Sequence, residues 1–312
     1  MNATVLTHSK VVQAAPEVVY GLVADVTRWP VIFEPSVLVR HLHREPEQER
    51  FQLWATVGGE VRNWTSRRVL DAGQRRIVFE QERSQAPIAS MGGGWSFREI
   101  TPGTTKVTLD HHFTVVDGVD PDEVAAAVDR NSESELTALA RIAELGHPVD
   151  EVIHTFEDTV TLDCSAAEVY DFVYHSERWP ERVPHVGRIE LTEDSEGVQL
   201  MEMDTVTAGG IPHTTTSIRV CFPGLRIDYK QLVPPAILFG HSGAWEFADG
   251  PDGAVVTARH TVAINPAAAR EILGAATDLA DARAYLTEAL SANSRNTLRC
   301  AQRYAATTKS PT

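Results

Sequence analysis

The chain repeats itself. Val19-Tyr20-Gly21-Leu22-Val23 through Arg28-Trp29-Pro30 returns as Val169-Tyr170-Asp171-Phe172-Val173 through Arg178-Trp179-Pro180, an offset of 150. Arg76-Ile77 with Gln81, and Trp95-Ser96-Phe97, match Arg226-Ile227 with Gln231 and Trp245-Glu246-Phe247 at the same offset. Val107-Thr108 with His111 matches Val256-Thr257 with His260 at 149, and Asn131-Ser132 with Leu136 matches Asn293-Ser294 with Leu298 at 162. A nearly constant offset with small slips is the signature of a duplicated domain whose insertions fall in loops. The boundary is placed at Gly146-His147-Pro148, where Gly ends a helix and Pro opposes its restart. The expected domains are therefore residues 1–147 and 152–307.

Each copy follows one order. A first strand (about residues 7–12 and 156–162) precedes a short helix with one apolar face, Val19, Leu22, Val23 and Val169, Phe172, Val173. Pro16 sits at the first turn in copy one, and Ser165-Ala166-Ala167-Glu168 is a capping box in copy two. Strand-like segments follow, separated by turn signals such as Gly58-Gly59, Ala72-Gly73, Pro102-Gly103, Gly209-Gly210, Pro223-Gly224 and Asp252-Gly253. Long helical stretches close the copies, roughly 121–145 and 266–305, the second with Leu279, Ala282, Leu286 and Leu290 on one face. Strand, helix, many antiparallel strands and a final helix make an α+β chain of two tandem helix-grip domains. A sheet curled around a helix leaves a cleft suited to a small molecule.

One strand gives that cleft its chemistry. In Val61-Arg62-Asn63-Trp64-Thr65-Ser66-Arg67-Arg68, a period of two puts Trp64, Ser66 and Arg68 on one face. An aromatic, a hydroxyl and a cation in a row fit neither solvent nor an apolar core, and suit a lined cavity. Thr215-Thr216-Ser217-Ile218-Arg219 repeats the Ser-x-Arg pair. His111 and His260 are the repeat-matched acid–base candidates, while His112 faces away from His111 and makes no metal pair with it. Gly92-Gly93-Gly94 lacks the Lys-Ser/Thr of a phosphate loop and reads as a turn or bulge before Trp95.

Composition excludes several classes. A formal charge of −15 opposes nucleic-acid binding. Residues 1–150 hold 15 basic and 21 acidic side chains against 13 and 22 in the rest, so the first copy is the better host for a local basic patch. No apolar run reaches the ~20 residues of a membrane span, and no signal peptide is visible. Three scattered cysteines form no disulfide or metal framework. A cytoplasmic protein without metal, nucleotide or flavin is expected.

Trp29-Pro30 with Phe33, then Trp64-Thr65-Ser66-Arg67-Arg68, then Trp95-Ser96-Phe97, resemble the aromatase/cyclases of bacterial type II polyketide synthases, members of the Bet v1/START-like superfamily. Two copies make the chain similar to the di-domain members. The resemblance implies first-ring aldol closure, joining C7 to C12, and dehydration of a ketoreduced poly-β-ketone held on an acyl carrier protein, alongside other synthase subunits. It implies catalytic roles for Arg68 and Ser66, with Trp29, Phe33 and Trp64 binding substrate. Ser36 stands where single-domain relatives place a tyrosine. The repeat extends the set to Arg219, Ser217, His111 and His260 for catalysis, and to Trp95, Trp179, Thr215 and Trp245 for binding. Thr215 replaces Trp64 and Val183 replaces Phe33, so copy one is the more family-like. Arg40, Arg44, Arg67 and Arg75 are the expected carrier-facing rim. A non-catalytic START-like protein that shields an apolar ligand is the alternative, and the two buried arginines weigh against it.

Overall fold

The computed structural model describes residues 3–206 and 212–308. The expected Gly209-Gly210 turn lies outside them. The chain divides into two compact units, Met1–Asp150 and Glu151–Thr312.

In unit one, β1 (Thr4–Val12) leads into α1 (Pro16–Ala24), the short α2 (Trp29–Ile32), then β2 (Ser36–Arg44), β3 (Gln48–Val57), β4 (Glu60–Asp71), β5 (Arg76–Arg83), β6 (Ile88–Thr101), β7 (Thr104–Val115) and α3 (Pro121–Ala143). All strand pairs are antiparallel, in the order β1-β7-β6-β5-β4-β3-β2. Asp120 caps α3 by accepting from the Asp122 amide, with Pro121 at a position where a missing N–H costs nothing. The α3 helix packs on β1, β7 and α1.

Gly146 takes φ +71°, and a single turn, α4 (Val149–Val152), follows directly after Pro148. Proline therefore does not prevent a helical restart here, because it precedes the turn instead of interrupting it.

Unit two repeats the plan with β8 (Ile153–Leu162), α5 (Ala166–Tyr174), α6 (Trp179–Arg182), β9 (Val186–Ser195), β10 (Val198–Val206), β11 (Pro212–Phe222), β12 (Arg226–Gln231), β13 (Leu238–Gly250) and β14 (Gly253–Ile264). Its strand order, β8-β14-β13-β12-β11-β10-β9, is that of unit one. The Ser165–Glu168 capping box forms as expected. The closing helix differs: it is split into α7 (Pro266–Leu273) and α8 (Leu279–Thr308). Gly274, at φ +118°, ends the first piece. Asp278 and Asp281 cap the second by exchanging amide-to-carboxylate hydrogen bonds of 2.9 and 3.3 Å.

The triple glycine is neither turn nor bulge. Gly92, Gly93 and Gly94 pair regularly with β5 and β7 inside β6. A Cβ on Gly93 would collide with the Asp110 carbonyl and the Phe79 ring, and one on Gly243 with the Arg259 carbonyl and the Tyr229 ring. Glycine is needed at both because ring and neighbouring backbone close over the same spot.

Candidate active site

Each unit holds a cavity between its sheet and its last long helix. The unit-one cavity, about 100 Å³, is walled by Trp29, Phe33, Phe51, Trp64 and Trp95, with Ser66, Arg68, Gln81, His111 and Glu135 as its polar groups. The unit-two cavity, about 150 Å³, has Trp179, Met201, Met203 and Trp245 as wall, with Ser217, Arg219, Tyr229, Gln231, His241, His260 and Ser294 among its polar lining. Strand alternation thus puts Trp64, Ser66 and Arg68 together, as their spacing requires. Thr215 does not join the lining. It is buried with its hydroxyl unpaired. Thr205, from the neighbouring strand, lines the cavity instead.

The two arginines sit in different electrostatic settings. Arg68 is 1% exposed and directly across the β3–β4 ladder from Glu49, itself 3% exposed. Its Nε donates to Glu49 Oε1 at 2.7 Å, and Nη2 approaches the same oxygen at 2.5 Å. Nη1 and Nη2 also donate to the Val23 and Ala24 carbonyls at 2.9 and 2.6 Å, satisfying the end of α1. Trp29 and Phe51 flank the guanidinium, 5.1 and 5.5 Å from their ring centroids. Arg68 is therefore a paired cation. Most of its donors are engaged, and its charge is matched.

Arg219 faces Gln199 in the same register. It donates to the Val173 carbonyl, to the Tyr174 carbonyl at 3.3 Å and to Ser176 Oγ at 2.6 Å. Among the described residues no carboxylate forms an ion pair with it. Glu177 acts on it through space, and Glu193, which accepts from Gln199 Nε2 at 2.8 Å, also feels its charge. Burial lowers the pKa of both arginines, opposed at Arg68 by Glu49.

The histidines are placed as expected but not tuned as expected. His111 faces the cavity, and His112 is exposed near Glu80. Burial lowers His111 to about 4 and His260 to about 4, so both are neutral imidazoles near pH 7 and cannot serve as stored imidazolium acids. In unit two, His260 Nε2 meets Ser294 Oγ at 2.9 Å. Its Nδ1 lies 3.0 Å from the Tyr229 hydroxyl and 3.2 Å from His241 Nε2. His241, held by Gln231 at 2.9 Å and lowered to about 3 by burial, escaped the sequence reading. In unit one the equivalent contact, Ser132 Oγ to His111 Nδ1, is a loose 3.5 Å.

Glu135 was also missed. It projects from α3 into the unit-one cavity, and burial raises its carboxyl to about 7. Its signal in the sequence was its helical spacing, three residues after Ser132 and four before the buried Leu139. Of the expected basic rim, Arg40, Arg44 and Arg67 are exposed, whereas Arg75 ion-pairs with Glu17.

Two tandem domains, each a seven-stranded antiparallel sheet with a closing helix and a polar-lined cavity around a buried arginine, define a class of enclosed small-molecule sites. Related sequences and structures make the class specific. Residues 3–144 and 162–280 match two family models, each described as polyketide cyclase / dehydrase and lipid transport. The chain is 52% identical over 296 residues to the granaticin polyketide synthase bifunctional cyclase/dehydratase of Streptomyces violaceoruber, covering 94% of this chain and 91% of that one. It is 49% identical to the actinorhodin polyketide synthase bifunctional cyclase/dehydratase of Streptomyces coelicolor, with 94% of each covered. Among solved structures it matches the di-domain ARO/CYC BexL from the BE-7585A pathway (TM-score 0.82, 44% identity, 99% and 100% coverage) and the di-domain ARO/CYC StfQ from the steffimycin pathway (0.80, 35%, 96% and 98%). The chain belongs to the polyketide cyclase/dehydratase family, as a di-domain aromatase/cyclase enzyme. No helix among the described residues is long and apolar enough to cross a membrane.

Proposed function

We propose that the chain closes the first ring of a ketoreduced poly-β-ketone, joining C7 to C12 by an intramolecular aldol reaction, and then removes water to aromatise it. The single observation that carries this reading is the unit-one cavity: aromatic walls shaped for a flat chain, with Ser66, Arg68 and Gln81 grouped on its sheet side. A wall of Trp29, Phe33 and Trp64 holds a folded chain by apolar contact and excludes water, which strengthens every hydrogen bond inside. Closure develops charge on a ketone oxygen, and donors fixed before reaction stabilise it at low reorganisation cost. Ser66 Oγ and the spare donor capacity of Arg68 supply them. The Arg68–Glu49 pair keeps these donors in place by tying β4 to β3 and to the end of α1.

On this reading the substrate is delivered by an acyl carrier protein, a proposal supported by the relatives' names as polyketide synthase components. Arg40, Arg44 and Arg67 offer an exposed basic rim to an acidic partner, so docking should weaken with salt. The test is product analysis in a reconstituted minimal synthase with its ketoreductase, with and without this protein. A new first-ring aromatic is expected. An unchanged product profile would favour the ligand-shielding alternative.

A further inference from the structure

Resting on that reading, we propose that Glu135 is the residue that moves protons in the unit-one cavity. The observation is a carboxyl with nothing to do. Glu135 lines the same space as Arg68, Ser66 and His111, yet among the described residues no hydrogen bond or ion pair engages it. Arg68 is occupied by Glu49, and the other oxygen of Glu49 by His41 Nε2 at 2.8 Å. Glu135 is half-buried and faces the cavity, and an unpaired carboxyl in such a place opposes folding, so a chain that keeps one there has a use for it.

Its surroundings leave the group free to titrate. On β7, His111 is neutral near pH 7. On β1, His8 pairs with Asp129 at 2.8 Å and Lys10 contacts Thr137 at 3.4 Å. On α1, Glu17 pairs with Arg75, and after α2, Glu34 accepts from Ser134 at 3.4 Å. Burial alone acts on the Glu135 carboxyl, which brings it to about 7, where one group can both take and return a proton.

The steps balance with this one residue. The Glu135 carboxylate takes a proton from a methylene between two carbonyls, and that carbon bonds to the distant ketone carbon. The alkoxide formed takes the proton back, which restores the carboxylate. The carboxylate then removes the remaining proton from the same carbon, a double bond forms, and the departing hydroxyl leaves with that proton as water. Nothing is oxidised or reduced, and no co-reactant is needed. The repeat assigns the task to one unit: with Ser132 matching Ser294 and Leu136 matching Leu298, Glu135 matches Thr297, which has no acid–base capacity near pH 7.

The test uses the full chain in the reconstituted synthase, with Glu135→Gln, Glu135→Asp and wild type followed from pH 5.5 to 9. Wild-type ring formation should rise through pH ~7 to a plateau. Glu135→Gln should lose roughly 10²–10⁴-fold in rate together with that rise, and Glu135→Asp should keep the rise at reduced rate. Glu135→Gln at the wild-type rate, or slowed with the rise intact, would overturn the proposal while leaving the cyclase reading in place. Absence of ring formation by wild type would overturn the reading itself. Infrared difference spectra of the unliganded chain give a second readout independent of activity. A protonated-carboxyl band should vanish between pH 6 and 8.5 in wild type and be missing in Glu135→Gln, and its persistence in the variant would contradict the assignment.

Discussion

The two cavities share a frame and differ in charge. In both, a Ser-x-Arg strand, a tryptophan after the first helix and a histidine on the last strand meet under a long helix. In unit one the arginine faces Glu49, the wall is aromatic, and the helix contributes a carboxyl. In unit two the arginine faces Gln199, the wall carries Met201 and Met203, and the helix contributes Ser294 and Thr297 against two neutral imidazoles. Duplication thus preserved the geometry that makes a cavity, while single changes at facing positions redistributed its protons and charges. Unit one is equipped for proton transfer. Unit two is a hydrogen-bonding chamber around an unmatched cation.

The largest contrast should come from removing the cations. Arg68→Met leaves buried Glu49 with His41 as its remaining side-chain partner and should cost about 3–5 kcal/mol. Arg219→Met removes hydrogen bonds but strands no carboxylate, and should cost about 1–3 kcal/mol. Denaturant unfolding of the full chain, with hydrogen exchange to assign the unit affected, measures both. Equal losses would break the distinction between a matched and an unmatched charge.

The glycines test the shared frame instead. Gly93→Ala and Gly243→Ala each force a methyl into neighbouring backbone and ring, so each should lose about 1–3 kcal/mol. A neutral result at either would show that the two sheets are shaped differently.

A smaller, pH-dependent difference sharpens the comparison. The imidazoles of His241 and His260 titrate below the unfolded value of 6.5, at about 3 and about 4. Their stabilising contribution is present above pH 6.5 and is lost as pH falls through those values. Glu135 has the opposite sign, since its folded value of about 7 lies above the unfolded 4.5. Its contribution is present below pH 4.5 and is lost as pH rises through 7. Raising the pH from 5 to 8 should therefore lower the thermal stability of wild type relative to Glu135→Gln. Identical pH dependence in the two would contradict a half-buried, unpaired carboxyl.

Much of this was legible in the sequence. The duplication defined the tandem plan, and the period of two on residues 61–68 put Trp64, Ser66 and Arg68 on one cavity face. What stayed hidden depended on pairing across elements. Glu49 reads as one more charge in an acidic hairpin until the β3–β4 register sets it against Arg68. Glu135 sits in Ser132-Glu133-Ser134-Glu135, a run that looks like a solvated helix face. The histidines were found, but their neutrality follows from burial, which residue type alone does not reveal. The break in the second closing helix was readable, in Gly274 and Asp278-x-x-Asp281, but a continuous apolar stripe from Leu279 onward outweighed it.

The most direct test of where the chemistry sits is hydrogen-exchange mass spectrometry of the full chain with a carrier-linked polyketide analogue that cannot cyclise. Binding in the unit-one cavity should protect amides of β4, β5 and the middle of α3 around Ser132 and Glu135. Protection confined to β11, β12 and α8 would place the substrate in unit two and contradict the assignment.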